Sequence, residues 1–234
     1  LNRVEYRSLE GFVLAVTPFN FTSIASNLNL APAMMGNTTI WKPSTTALHS
    51  NYLLMKIFQE AGLPDGVVNF LPGQGSLIGR VATANEHLAG FHFTGSTATF
   101  NTLWKSIAGN IDRYRGYPRI VGETGGKNFV MVHPSAEARE VATALVRGAF
   151  EYQGQKCSAA SRAYIPRSLW PSVKEVMGDM LDSIKMGDVM EFDNFVNAVI
   201  DEASFDNIMN YLVAAKRDSD AKIIFGGEGD KSVG

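Results

Sequence analysis

Residues 12–23 read FVLAVTPFNFTS, and the order within that stretch decides the fold. Five apolar residues, Phe12 to Val16, follow Gly11 and stop at Thr17-Pro18. A short apolar run closed by proline predicts a buried strand. Thr17-Pro18-Phe19-Asn20-Phe21 then predicts a loop, and Thr22 a cap for a helix reaching toward Met35, with Gly36-Asn37 as its stop. Pro32 inside that helix predicts a kink or a division in two.

The same strand, loop and helix unit recurs along the chain. Thr38 to Trp41 is β-branched and aromatic, a second strand ended by Lys42-Pro43-Ser44, and Ser44 predicts an N-cap for a helix to Ala61. Val67 to Leu71 is a third strand, and Leu77 to Ala84 a short helix. Leu88 to Phe93 is a fourth strand, turned by Thr94-Gly95-Ser96 into a helix from Thr97 to Ala108. Arg119 to Val121 leads into Gly122-Glu123-Thr124-Gly125-Gly126-Lys127. Alternation of this kind predicts an α/β fold, a Rossmann-like parallel sheet with helices on both faces. Such sheets bind ligands at the carboxyl ends of their strands, so the 17–20, 42–44, 94–96 and 123 positions should gather along one edge.

The glycine pair at 125 and 126 is the best boundary, giving domains 1–125 and 126–234. The second set opens with a strand from Asn128 to Val132 and a helix from Ala136 to Tyr152, with Val141, Leu145, Val146 and Ala149 near one face. Ala163 to Ile165 predicts a strand, and Ser168 the cap of a helix to Ile184. Ala203 to Ala215 predicts a helix, and Lys222 to Phe225 a strand.

Composition bounds the function classes. With 234 residues, 45% hydrophobic and 19% charged, the chain has an ordinary globular balance. A formal net charge of −2 gives no reason to expect nucleic acid or an acidic membrane surface. No apolar run approaches the roughly 18 residues of a membrane span. Leu1 at the start and a turn-rich GGEGDKSVG at the end predict a fragment of a longer protein. The single cysteine excludes an internal disulfide scaffold, and His49, His87, His92 and His133 lack ligand spacing, so no metal is expected.

That cysteine, Cys157, lies in FEYQGQKCSAASR, residues 150–162. A lone cysteine is either a buried small hydrophobe or a reagent. As a reagent it needs a route to thiolate, since a free thiol titrates near about 8.5, and donors for the charge that develops. Glu123 is either a solvated carboxylate or a general base in a flexible glycine setting. Asn20 is either a turn-maker or a carboxamide N–H donor to an oxyanion. Lys42 and Ser44 are a surface lysine and a cap, or they hold a ribose or phosphate. Gly95-Ser96, opening a helix after a strand, favours an anion, although no GxGxxG is present.

The motifs TPFNF, WKPS, FTGS, GETGGKN and GQKCSAASR follow one another in this order. In this the chain resembles the aldehyde dehydrogenase superfamily. LEGFVLAVTPFNF, GSTATF and FEYQGQKCSAASR carry a closer resemblance to its 1-pyrroline-5-carboxylate (glutamate γ-semialdehyde) dehydrogenase branch. The resemblance implies a cofactor domain over 1–125 and part of an α/β catalytic domain over 126–234. It implies Cys157 as nucleophile, Glu123 as the base for thioester hydrolysis, and Asn20 with the Cys157 backbone N–H as oxyanion hole. Thr17, Lys42, Ser44 and the Gly95, Ser96, Thr97, Ala98, Thr99 turn are implied as dinucleotide contacts. Ser158, with Phe21 as an apolar wall, is implied in the pocket for the substrate's carboxylate end, and Lys156 would add positive potential there.

The implied cofactor is NAD, with NADP left open because Thr45 stands where many members carry a glutamate. The implied substrate is a small aldehyde, glutamate γ-semialdehyde, in proline catabolism; another semialdehyde, or a noncatalytic protein of the same fold, are the alternatives. The resemblance also implies a homo-oligomer at full length and a mitochondrial matrix location, or a cytoplasmic one in a bacterium.

Overall fold

The structure is a computed structural model that describes residues 2–232; Leu1, Val233 and Gly234 lie outside the described residues. The chain divides into two compact units at the Gly125–Gly126 bond.

In the first unit five parallel strands form one sheet. They are β1 (Phe12–Val16), β2 (Thr38–Lys42), β3 (Val68–Phe70), β4 (Leu88–Thr94) and β5 (Arg119–Glu123), ordered β3-β2-β1-β4-β5. The chain winds outward from β1 through β2 to β3, then returns to β4 on the other side. The switch point therefore falls between β1 and β4, where doubly wound sheets open a crevice for ligands. The register aligns the carboxyl ends. Val16 stands opposite Lys42 on one side and Phe93 on the other, and Thr94 stands opposite Glu123.

Both faces are covered, which is why these strands are apolar without alternation. On one face Leu14, Leu88, Phe91 and Phe93 pack against Ala82 and Leu103 from α3 (Gly75–Thr83) and α4 (Thr97–Gly109). On the other, Trp41 and Val68 pack against Ala25, Leu54 and Phe58 from α1 (Thr22–Met34) and α2 (Leu48–Glu60). Burial of each large side chain stabilises the unit by about 1.5–3 kcal/mol.

Two expected caps of the first unit fail. Phe21, not Thr22, precedes α1, and its side chain makes no capping bond. The Ser44 hydroxyl bonds Thr46 Oγ1 at 3.0 Å, and a short 3-10 turn, Thr45–Ala47, intervenes before α2. α1 is not divided at Pro32 and runs on to Met34. The missing N–H of Pro32 frees the carbonyl of Leu28. His92 Nδ1, on β4, takes that acceptor at 3.0 Å.

The second unit has a two-stranded parallel sheet, β6 (Asn128–Met131) and β7 (Ala160–Tyr164). Its core joins Val132 to Val141, Ala142 and Leu145 of α5 (Ala138–Phe150) and Val173 of α6 (Trp170–Ser183). Ser168 does not cap α6. The helix starts from a turn in which Leu169 and Trp170 donate to the Pro166 carbonyl, and Pro171 enters its first turn, where its absent N–H is harmless. α7 (Glu202–Arg217) is capped by Asp201, whose carboxylate accepts from Ser204 N at 2.8 Å.

Two further expectations are corrected. The helix expected to Tyr152 ends at Phe150, where the chain enters a left-handed turn. Lys222 to Phe225 is not a strand: β propensity there finds no hydrogen-bonding partner among the described residues.

Candidate active site

The edge of the first unit carries most of the expected positions. Thr17 is buried; its hydroxyl accepts from Trp41 Nε1 at 2.9 Å, and its N–H donates to the Lys42 carbonyl at 3.1 Å. Its side chain thus locks the ends of β1 and β2 together. Lys42 is half-buried, and burial lowers its pKa from the ordinary lysine value. Its Nζ lies over Gly75, where a Cβ would sit 3.6 Å away, at the start of α3. Asn20 and Phe21 are half-buried in the loop between β1 and α1, and Glu123 is exposed as the last residue of β5.

The 95–99 turn is organised by its own side chains. Ser96 caps α4, accepting from Thr99 N at 3.2 Å and donating to Thr99 Oγ1 at 2.9 Å. Thr97, Ala98 and Thr99 are exposed. The Gly95 N–H donates to the Glu123 carbonyl at 3.2 Å, tying this turn to the end of β5. A Cβ on Gly95 would meet the Phe93 ring at 2.8 Å, and one on Gly122 the Phe100 ring at 2.2 Å. Both glycines are therefore required by aromatic packing, a reason that local sequence does not display.

Cys157 and Ser158 belong to the second unit. Cys157 is half-buried, and its carbonyl accepts from Asn128 Nδ2 at 2.7 Å. A Cβ on Gly126 would lie 2.2 Å from the same oxygen. The main chain of the cysteine is thus held against the start of β6 by Gly126 and Asn128. The sequence places Gly126 at a domain boundary and Asn128 at the start of a strand, and gives neither a role in holding the cysteine. Their signal was the GGKN that follows Glu123.

The positive charge expected of Lys156 is compensated by a carboxylate. Its Nζ pairs with Glu151 Oε2 at 2.5 Å, and Arg147 pairs with Glu151 Oε1 at 2.8 Å. The hydrogen bond from Lys156, followed by that from Arg147, holds the Glu151 carboxyl down at about 2. Ser158 is exposed.

Between α5 and the cysteine, Tyr152, Gln153 and Gly154 all take positive φ, at 56°, 57° and 67°. For the two non-glycine residues this conformation costs about 1–2 kcal/mol each. Gly154 is needed for a second reason, since a Cβ there would press on the Ala149 carbonyl at 2.8 Å.

Among the described residues no three His, Cys, Asp or Glu side chains come together as a metal site, and no helix is long and apolar enough to cross a membrane.

A doubly wound dinucleotide-type sheet joined to an α/β unit that presents one fixed cysteine defines the class. The model of the aldehyde dehydrogenase family matches residues 1–234, and the chain belongs to that family. Among its relatives, the mitochondrial delta-1-pyrroline-5-carboxylate dehydrogenase of Dictyostelium discoideum is 53% identical over 235 residues, covering 100% of this chain and 42% of the relative. The human mitochondrial enzyme of that name is 50% identical over 234 residues, with the same coverage. A crystal structure of the delta-pyrroline-5-carboxylate dehydrogenase from Mycobacterium tuberculosis, bound with NAD, superposes with a TM-score of 0.94 at 50% identity, covering 97% of this chain and 43% of that one. The chain thus spans about two-fifths of the length of these relatives.

Proposed function

We propose that this chain is part of an NAD-dependent dehydrogenase that oxidises glutamate γ-semialdehyde, the open form of 1-pyrroline-5-carboxylate, to glutamate. The observation that carries the reading is the fixed presentation of Cys157, the only thiol of the chain, whose carbonyl is pinned by Asn128 against Gly126. A core cysteine needs no such fixing; a nucleophile that must meet its substrate in one geometry does. Names of relatives at about 50% identity support the substrate, and we place the reaction in proline catabolism.

The roles follow from residue chemistry. The Cys157 thiolate attacks the aldehyde carbon, and the carbonyl electron pair moves to oxygen. Asn20, a neutral amide donor, and the Cys157 N–H stabilise that oxyanion; one such donor is worth about 3 kcal/mol. The nicotinamide, when bound, supplies the acceptor for the hydride on that carbon. A thioester then remains on Cys157. Glu123 takes a proton from water, the hydroxide adds to the thioester, and the thiolate leaves with release of the acid. Ser158 offers a hydroxyl to the substrate's carboxylate end, with Phe21 as an apolar wall.

The first unit suits a dinucleotide. Lys42, half-buried at the end of β2, offers a cationic donor beside Gly75 at the start of α3. Ser44 and the 95–99 turn lie on the same carboxyl edge as Lys42, where a dinucleotide would meet them. We assign residues 1–125 to cofactor binding and 126–234 to the catalytic part. Relatives named as mitochondrial support a mitochondrial location, and we read the complete protein as a homo-oligomer.

The test is kinetics of the complete protein with glutamate γ-semialdehyde, succinate semialdehyde and an uncharged aldehyde, each with NAD and NADP. The reading expects the highest kcat/KM with glutamate γ-semialdehyde and NAD. A preference for another aldehyde, or activity that survives Cys157→Ser, would overturn it.

A further inference from the structure

The strained turn ahead of Cys157 is held from outside. Three consecutive residues at positive φ, two of them not glycine, persist only where their surroundings over-determine them. The two glutamines around Gly154 supply that constraint. Gln153 Nε2 donates to the Ala198 carbonyl at 3.0 Å. Gln155 Oε1 accepts from the Ile200 N–H at 2.9 Å. The two main-chain groups lie two residues apart in sequence. One arm therefore donates and the other accepts, along a single short stretch of backbone. A further bond within the turn, from Gln155 N to the Tyr152 carbonyl at 3.1 Å, closes it.

We propose that Gln153 and Gln155 are positioning residues for Cys157. They dock the 152–154 turn onto residues 198–200 and so fix the place from which the thiol, two positions after Gln155, reacts. The inference rests on reading Cys157 as the nucleophile. It gives the 198–200 segment, remote in sequence from every motif, a share in presenting the thiol.

Donor and acceptor can be exchanged to test it. At 153, lysine keeps a donor for the Ala198 carbonyl, whereas an ionised glutamate does not. At 155, glutamate keeps an acceptor for the Ile200 N–H, whereas lysine does not. Because Cys157 is the only cysteine, iodoacetamide labelling of the whole chain reports on that one position. Gln153→Glu and Gln155→Lys should free the half-buried thiol and speed labelling about fivefold, the factor expected for loss of one hydrogen bond. Gln153→Lys and Gln155→Glu should stay within about twofold of wild type on the same measure. In the complete enzyme the first pair should lower kcat for the aldehyde while leaving KM for the cofactor unchanged.

The crossed pattern separates this role from charge, since each charge is tolerated at one site and not at the other. Equal rates in all four variants, or rates that follow Tm alone or side-chain charge alone, would overturn the proposal. If the disrupted variants do not fold, hydrogen exchange of the Ile200 amide in the wild-type chain decides: exchange as fast as an open amide overturns the clamp, and protection supports it. Aldehyde oxidation that survives Cys157→Ser would instead remove the nucleophile reading, with the labelling pattern still deciding whether the clamp exists.

Discussion

His92 Nδ1 lies 3.0 Å from the carbonyl oxygen of Leu28, the acceptor that Pro32 leaves without its helical donor. A carbonyl can only accept, so Nδ1 carries the proton and donates. The proline inside α1 and the histidine on β4 therefore form one unit, although 64 positions separate His92 from Leu28. It joins α1, which follows the Asn20 loop, to the strand that leads into the Gly95-Ser96 turn.

This relationship predicts a thermodynamic coupling. His92→Phe should destabilise the chain by about 1–3 kcal/mol, the cost of leaving a buried acceptor unpaired. In a Pro32→Ala background the restored N–H can bond Leu28, so the same substitution should cost less than about half as much. A urea-denaturation cycle measures the four stabilities. Additive losses would show that His92 does not serve the carbonyl freed by Pro32.

Glu151 predicts a pH dependence. Its carboxyl is lowered from 4.5 to about 2, first by Lys156 and then by Arg147. For a carboxyl depressed on folding, the stabilisation is present above the unfolded value and lost as pH falls through the folded one. The Tm difference between wild type and Glu151→Gln should thus be largest near neutral pH and shrink between about 4.5 and about 2. Because the groups face solvent, added salt should shrink it too. A difference that does not change with pH would assign the effect to packing.

Gly126→Ala places a methyl 2.2 Å from the Cys157 carbonyl, a backbone atom that cannot swing aside. The loss expected is about 1–3 kcal/mol in stability, as for other overpacked sites, together with an altered rate of iodoacetamide labelling. Asn128→Ala removes the 2.7 Å bond without adding bulk and should change labelling with a smaller loss of stability. Labelling rates equal to wild type in both variants would show that the main-chain fixing of Cys157 does not govern its reactivity.

Glu123→Gln keeps the shape of the side chain and removes its basicity. In the complete enzyme it should leave the first hydride transfer largely intact and slow acid release by roughly a hundredfold or more. Rapid mixing would then show a burst of reduced cofactor followed by a slow steady state. A steady-state rate equal to wild type would sink the assignment of Glu123 as base.

Much was legible in the sequence because its signals are local. Apolar runs closed by proline or glycine at Val16, Phe70 and Thr94 mark strands, and 3.6-residue spacing around Val141 and Leu145 marks α5. Once alternation makes the sheet parallel, the chain itself carries Lys42, Gly95 and Glu123 to the carboxyl edge. The linear order of motifs was enough for the family.

What only the tertiary structure decided depends on partners distant in sequence. Strand order places β4 beside β1 because pairing is chosen by which faces pack, not by succession along the chain. Ser96 caps α4, whereas Ser168, with the same side chain and expected as a cap, caps nothing, because the Pro166 carbonyl starts that helix instead. Lys156 sits beside the cysteine in sequence, yet its ammonium is taken by Glu151 across a left-handed turn whose first residue, Tyr152, was expected to continue the helix. Gly122 and Gly126 look like flexible linkers, and packing against Phe100 and the Cys157 carbonyl is what requires them. Lys222 to Phe225 has the composition of a strand and forms none, since a strand is stabilised by the neighbour it bonds to rather than by its own residues.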